Sequence, residues 1–404
     1  MAIGLPDQPA LEPVAGVRLG SVAAGVKQPG VPDLVLMELS AGTRVAAVFT
    51  RNRFCAAPVR LARSNMTAAE SRYLLINSGN ANAGTGAAGD RAARACCDAV
   101  AAATEVPAAA VLPFSTGVIG EPLPVSRITA AIPAAIQGLG PDGWLAAARA
   151  IGTTDTVPKG ATRRVELSAG TVTLTGIAKG AGMIRPDMAT MLAFMATDAR
   201  IPQELLDSLL TSAVGRSFNR ITVDGDTSTN DACTLAATGA SNVSVEPGGR
   251  DERVFAQALL ELCQELACAI VRDGEGATRF IAIRVTGALD EAEAEAVAFT
   301  IAQSPLVKTA FFAGDPNWGR ILAAVGRAGV TDLDVERVTL WLDDLRIAAD
   351  GGRAPEYSEA EAAARMAQSE VTVGVELDRG EANATVWTCD FSYEYVRINA
   401  EYRS

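Results

Sequence analysis

The run RRVELSAGTVTLTGIAKG, from Arg163 to Gly180, sets two stretches of alternating apolar and β-branched residues on either side of Ala169-Gly170. That pattern predicts a hairpin. Further strand-like runs occupy Val17 to Lys27, Asp33 to Ser40, Thr43 to Arg51 and Arg72 to Gly79, in a stretch punctuated by Gly, Pro and Asn, and strands return at Arg279 to Ala288. Windows rich in Ala, Leu and Glu predict helices over Asp90 to Ala103, Ile128 to Leu139, Gly143 to Ile151, Gln203 to Ser217, Glu252 to Arg272, Glu291 to Ala302, Gly319 to Arg327 and Glu359 to Gln368. Many strands lie next to one another in sequence without a regular βαβ alternation. The expected fold is therefore mixed α/β, with mixed or largely antiparallel sheets covered by helices. Val245 to Arg253 and Asp343 to Glu359 are expected to be surface loops.

At 404 residues and 49% hydrophobic content, the chain has material for an ample core. Its seven cysteines show no CxxC pair, are expected to be core thiols, and fit a reducing compartment. No apolar run approaches the length of a membrane span, and the N-terminus lacks a basic segment followed by a greasy one, so a cytoplasmic protein with no membrane partner is expected. The net charge of −12 comes without a compensating Lys/Arg cluster, which argues against a nucleic-acid partner.

The chain contains no histidine. This excludes Ser-His-Asp and Cys-His nucleophiles and removes the commonest metal ligand, and no metal site is expected. A general base has to come from elsewhere. Gly84 to Gly89 (GTGAAG) matches G-x-G-x-x-G, but SGNANA separates it from the preceding strand, so a dinucleotide site is rejected in favour of a glycine-rich loop. Asp224, Asp226 and Asp231 in TVDGDTSTND resemble a cation loop but lack EF-hand spacing; a network of Asx and Ser/Thr turns near a site is the better reading. Ser115, Thr116 and Gly117 end an apolar strand, either as an ordinary turn or as oxyanion donors.

Thr190, after the small Ala189, admits two readings: a buried strand threonine bonded to backbone, or a latent chain start. Cleavage at Ala189-Thr190 creates an α-amine beside the Thr190 hydroxyl, so that one residue is base and nucleophile without any histidine. An α-amine titrates at about 7.7 to 8.0, near the pH at which it is needed.

Taken together, STG (Ser115–Gly117), GTTDTVPK (Gly152–Lys159), KGAGMIRPDMATMLAF (Lys179–Phe194), DGDTSTND (Asp224–Asp231), GEGATR (Gly274–Arg279) and DPNWGRILAAVG (Asp315–Gly326) resemble the ornithine acetyltransferase, or glutamate N-acetyltransferase, family of arginine biosynthesis. The resemblance runs nearly end to end. It implies an αββα-like sandwich with a smaller C-terminal α/β part, and self-cleavage into an α chain of residues 1–189 and a β chain of residues 190–404. It implies acetyl transfer from N²-acetylornithine to glutamate through acetyl-Thr190, with Thr116 and Gly117 as the oxyanion pair. Thr153, Lys179, Thr190, Glu275, Asn399 and Ser404 are the implied substrate contacts. It implies no cofactor, acetyl-CoA as a candidate second acetyl donor, and a heterotetramer of two α and two β chains. A self-cleaving aminopeptidase-like amidohydrolase is the alternative, because it shares the nucleophile and differs only in the acceptor.

Overall fold

A computed structural model describes residues 2–185 and 191–401. The chain divides into two compact units, one of Pro6–Asn219 with Asp226–Ile270, the other of Met1–Leu5, Arg220–Gly225 and Val271–Ser404. The expected chain boundary at 189/190 falls inside the sequence span of the first unit, so units and expected chains are different divisions of the protein.

The larger unit holds two sheets. In the first, β1 (Val17–Val22), β2 (Leu34–Leu39), β4 (Tyr73–Asn80) and β5 (Val111–Val118) run in that order, antiparallel except for the parallel pair β4 and β5. The second has the order β3 (Arg44–Phe49), β10 (Ala232–Ala237), β8 (Leu192–Thr197), β7 (Gly170–Lys179), β6 (Lys159–Leu167), with β10 and β8 parallel. The expected hairpin is β6–β7, turning at Ser168-Ala169.

Strand periodicity explains the layering. Val35, Met37, Leu74, Ile76, Leu112 and Phe114 share a core with Ile177, Leu192, Phe194, Ala196 and Ala232 of the second sheet. Their neighbours in sequence, Leu34, Leu36, Leu75 and Val111, point the other way, onto Cys96 and Val100 of α2 (Gly86–Thr104) and Ile128 and Ile132 of α3 (Val125–Gln137). Because both faces of the first sheet are buried, its strands read as continuous apolar runs. On the far side of the second sheet α5 (Gln203–Gly215) packs against β3 and β10, and Cys263 of α6 (Arg250–Arg272) brings its sulfur to 3.5 Å from that of Met195. The result is the expected helix, sheet, sheet, helix sandwich. Two further helices, α1 (Ala57–Ala68) and α4 (Trp144–Ile151), send Val59, Ala62, Trp144 and Ile151 into the core between the sheets.

The smaller unit is the expected α/β part. Its sheet has the order β14 (Gly352–Arg353), β13 (Leu345–Ala349), β12 (Thr339–Leu342), β15 (Glu370–Glu376), β11 (Phe280–Ala288), β16 (Ala382–Cys389), β9 (Ile221–Thr222). Around it stand α7 (Glu291–Ala302), α8 (Pro305–Ala313), α9 (Trp318–Gly326), α10 (Glu359–Met366) and α11 (Tyr393–Glu401). Ile281 and Ile283 of β11, Leu340 of β12, Val373 and Val375 of β15, and Val297 and Ile301 of α7 belong to its core.

Three expectations need correction. Residues 343–359, read as loop from their Asp and Gly content, contain β13 and β14. The expected loop 245–253 gives way to α6 at Arg250. And α6 is long and apolar enough to cross a membrane by length and composition, contrary to the expectation that no segment is; here Leu259, Leu262, Cys263 and Leu266 are at most 1% exposed, as in a core helix.

Phe194, 1% exposed, meets Phe114 of the facing sheet edge-on with ring centroids 5.1 Å apart. Removing this contact leaves a cavity in the inter-sheet core. Phe194→Ala is expected to cost about 3 to 5 kcal/mol, read as a lowered denaturant midpoint.

Candidate active site

The parallel strands β4 and β5 end in facing glycines. Gly79 pairs with Gly117, and the ladder is irregular at Asn80. Gly117 has φ +131°, and a Cβ on it would stand 2.2 Å from the carbonyl carbon of Gly79, so both the conformation and the close approach require glycine. This termination leaves Thr116 at the rim of the strand, half-buried.

Lys179, the last residue of β7, reaches Thr116 from the opposite sheet. Its Nζ donates to Thr116 Oγ1 at 3.1 Å and to Thr153 Oγ1 at 2.9 Å. The structure thus brings together three of the residues singled out in sequence, from segments 26 and 63 residues away from Lys179.

Asp155 organises them, a residue that lies within GTTDTVPK and carries no role in the sequence reading. Its Oδ1 accepts from Lys159 Nζ at 2.6 Å and from Gly180 N at 2.7 Å, and its Oδ2 from Thr153 N at 2.9 Å. Its side chain is 6% exposed and that of Lys159 is 0% exposed. Burial alone pushes the carboxyl up, but the Lys159 and Lys179 charges and the Gly180 N–H outweigh it and hold Asp155 well below the usual carboxylate range. Lys27 adds a further tie: its Nζ donates to Ala150 O at 3.0 Å and to Gly152 O, anchoring the backbone that leads into Thr153. The signal available in sequence was Asp155 itself, four residues before Lys159 and just after Thr153-Thr154.

The loop before β10 borders the same place. Thr227 Oγ1 donates to Arg185 O at 2.9 Å, and Ala232 N to Met191 O at 2.9 Å, so the loop holds the described residues on both sides of 186–190. Within it Thr229 Oγ1 donates to Asn230 Oδ1, and Asn230 N to Ser228 Oγ, the side-chain turn network expected of TSTND. Burial pushes the Asp231 carboxyl well up despite the Lys179 charge, and its Oδ2 has no hydrogen-bond partner among the described residues. Asp224 lies in the smaller unit, where Tyr395 Oη donates to its Oδ2 at 3.4 Å.

In the smaller unit Glu275, 7% exposed, accepts at Oε2 from Asn399 Nδ2 at 2.8 Å. The loop carrying Glu275 is pressed against the C-terminal segment: a Cβ on Gly276 would lie 2.5 Å from Tyr395 N. Asp390 accepts from Thr278 N and Arg279 N at 2.8 and 2.9 Å and fixes the loop's exit. Glu275 and Asn399, also singled out in sequence, are thus partners. Ala189, Thr190 and Ser404 lie outside the described residues. GTGAAG, taken as a loop, instead runs into α2 from Gly86.

Fold and site define a layered α/β protein in which a buried lysine and carboxylate arrange two threonine hydroxyls at the end of a glycine-terminated strand. The ArgJ family description matches residues 18–404. The arginine biosynthesis bifunctional protein ArgJ of Methylococcus capsulatus is 60% identical over 393 residues, covering 97% of this chain and 96% of its own. Its namesake from Pseudomonas syringae pv. tomato is 53% identical over 406 residues, 100% of both chains. Among solved structures, ArgJ of Bacillus halodurans is 41% identical over 50% of this chain and 96% of its own, with a TM-score of 0.49. The ornithine acetyltransferase of Mycobacterium tuberculosis, solved with ornithine, is 40% identical over 46% of this chain and 98% of its own, with a TM-score of 0.42. The chain belongs to the ArgJ family.

Because the folded Asp155 titrates below its unfolded counterpart, its contribution to stability is present above the unfolded value of about 3.9 and is lost as pH falls toward the folded one. Asp155→Asn removes the carboxylate that pairs with the buried Lys159 and is expected to destabilise the protein by about 3 kcal/mol at pH 7. Denaturant titrations at several pH values should show that gap closing below pH ~4.

Proposed function

We propose that this arginine-biosynthesis acetyltransferase cleaves its own chain between Ala189 and Thr190, and then uses Thr190 to carry acetyl from N²-acetylornithine to glutamate. The observation that carries the reading is the Lys179 ammonium bridging the Thr116 and Thr153 hydroxyls over the buried Asp155. A fixed cation and hydroxyls at this spot suit a substrate that bears a carboxylate next to a reacting carbonyl.

In the first half-reaction the Thr190 oxygen attacks the acetyl carbonyl carbon while its proton passes to the Thr190 α-amine. The carbonyl oxygen becomes an oxyanion, stabilised by the Thr116 hydroxyl and the Gly117 N–H. The C–N bond breaks, ornithine's amine leaves with the proton, and acetyl remains as an ester on Thr190. The glutamate amine then attacks that ester and restores the free threonine. Lys179 and Thr153 hold the α-carboxylate, and Glu275, kept in place by Asn399, offers a charge complementary to an ammonium group. Ser404 completes the set of substrate contacts. Acetyl-CoA serves as a second donor to the same threonine, without a resident cofactor. The processed chains assemble as two α and two β, in the cytoplasm, where the seven free thiols stay reduced.

On a denaturing gel with intact-mass measurement, the purified protein should appear as two fragments meeting at Ala189-Thr190. Thr190→Ala should stay one chain and lose acetyl transfer by more than about 10³-fold. Ornithine release beyond one equivalent per enzyme should depend on glutamate; continued release of ornithine with free acetate, at the same rate without glutamate, is the result expected of the amidohydrolase. A fully active uncut chain would contradict the proposal.

A further inference from the structure

Asn230 sits in the loop that enters β10, in the second sheet, yet its side chain spans to the first. It is 6% exposed and fully engaged: Nδ2 donates to Ala81 O at 2.6 Å and to Ser115 O at 2.9 Å, while Oδ1 accepts from Thr229 Oγ1 at 2.6 Å. Both partners on the nitrogen side are carbonyl oxygens, which only accept, so the orientation of the amide is determined.

The Ser115 carbonyl lies in the same rigid peptide plane as the Thr116 N–H. Holding that oxygen therefore fixes the direction in which the chain enters Thr116 and Gly117. The plane's neighbourhood is braced from the other side as well, because Ser115 Oγ donates to Asn77 Oδ1 at 2.6 Å and Asn77 Nδ2 to Asn80 O at 2.8 Å. The need for bracing is local. Gly117 and Gly79 face one another with φ +131° and +103°, at an irregularity in the β4–β5 ladder, and glycine resists backbone rotation least of all residues. Donors that stabilise a developing oxyanion are effective only when their direction is set beforehand.

We propose that Asn230 is a positioning residue for acyl transfer, pinning the Ser115–Thr116 peptide so that the Thr116 hydroxyl and Gly117 N–H stay aimed at the reacting carbonyl. The inference rests on the oxyanion role given above to Thr116 and Gly117. A merely structural amide, satisfying two buried carbonyls, would affect stability and leave the turnover of folded enzyme untouched.

The test is steady-state kinetics of the self-processed enzyme with N²-acetylornithine and glutamate, alongside thermal melting, for Asn230→Ala, Thr229→Val and Thr116→Ala. Asn230→Ala should lower kcat on the order of 10- to 100-fold, with KM for acetylornithine within about 3-fold of wild type. Thr229→Val keeps both Asn230 donors but removes the hydroxyl that sets the amide plane, and should lower kcat several-fold with KM unchanged. It decides the matter if Asn230→Ala does not fold or does not cleave. Unchanged kcat in folded Asn230→Ala, or in Thr229→Val where that variant has to decide, overturns the proposal. If Thr116→Ala slows turnover and the Asn230 and Thr229 variants do not, only this inference fails; if Thr116→Ala leaves kcat unchanged, the oxyanion reading fails with it.

Discussion

The buried carboxylate of Asp155 is the point on which the site depends. It receives Thr153 N, Gly180 N and the Lys159 ammonium, and so ties together the segment after α4, the end of β7 and the start of β6. An ion buried this deeply is costly unless its lone pairs find partners. Asp155 meets that condition with two backbone N–H groups and one ammonium. The neighbouring Lys179 then directs its charge at the hydroxyls of Thr116 and Thr153 instead of serving as Asp155's sole counter-ion.

The sandwich makes this arrangement possible. Thr116 stands on the first sheet and Lys179 on the second, and the two meet because the sheets pack face to face through Phe114 and Phe194. Polar groups at the sheet ends replace the apolar side chains of the middle. Asn230 and Lys179 both cross from one sheet to the other there, one holding a carbonyl and the other a hydroxyl. A site between two rigid sheets keeps its donors in place without help from bound substrate.

Much of this was legible in the sequence where local chemistry decides structure. The β6–β7 hairpin follows from alternating β-branched residues, and α7 has the bounds its composition predicts, Glu291 to Ala302. Three helices were missed. In α8, Pro305 and the Phe-containing run PLVKTAFFA obscured a helix whose start is nonetheless marked by Ser304 as cap and Pro305 in the first turn. In α1, Pro58 hid the pattern in the same way, and α11 has no buried residue and hence no apolar stripe to read. Strands β13 and β14 were hidden by Asp and Gly residues that mark their turns rather than one long loop. Thr116, Thr153, Lys179, Glu275 and Asn399 were all singled out by motif resemblance, and their pairings appear only when the fold brings distant segments together. Lys27 and Asn230 had no distinguishing local pattern, and the one local signal at Asp155, its spacing from Lys159, carried no role until the fold brought Gly180 and Lys179 near.

In the proposed mechanism a chain without histidine carries out acyl transfer on a nucleophile that brings its own base, and the acetyl ester on that nucleophile is the species on which the proposal turns. Processed enzyme incubated with N²-acetylornithine and no glutamate, then quenched, digested and analysed by mass spectrometry, is predicted to yield a peptide beginning at Thr190 with one acetyl group on the threonine side chain. Adding glutamate should remove that group as N-acetylglutamate appears. Formation of N-acetylglutamate with the Thr190 peptide unmodified throughout would contradict the account.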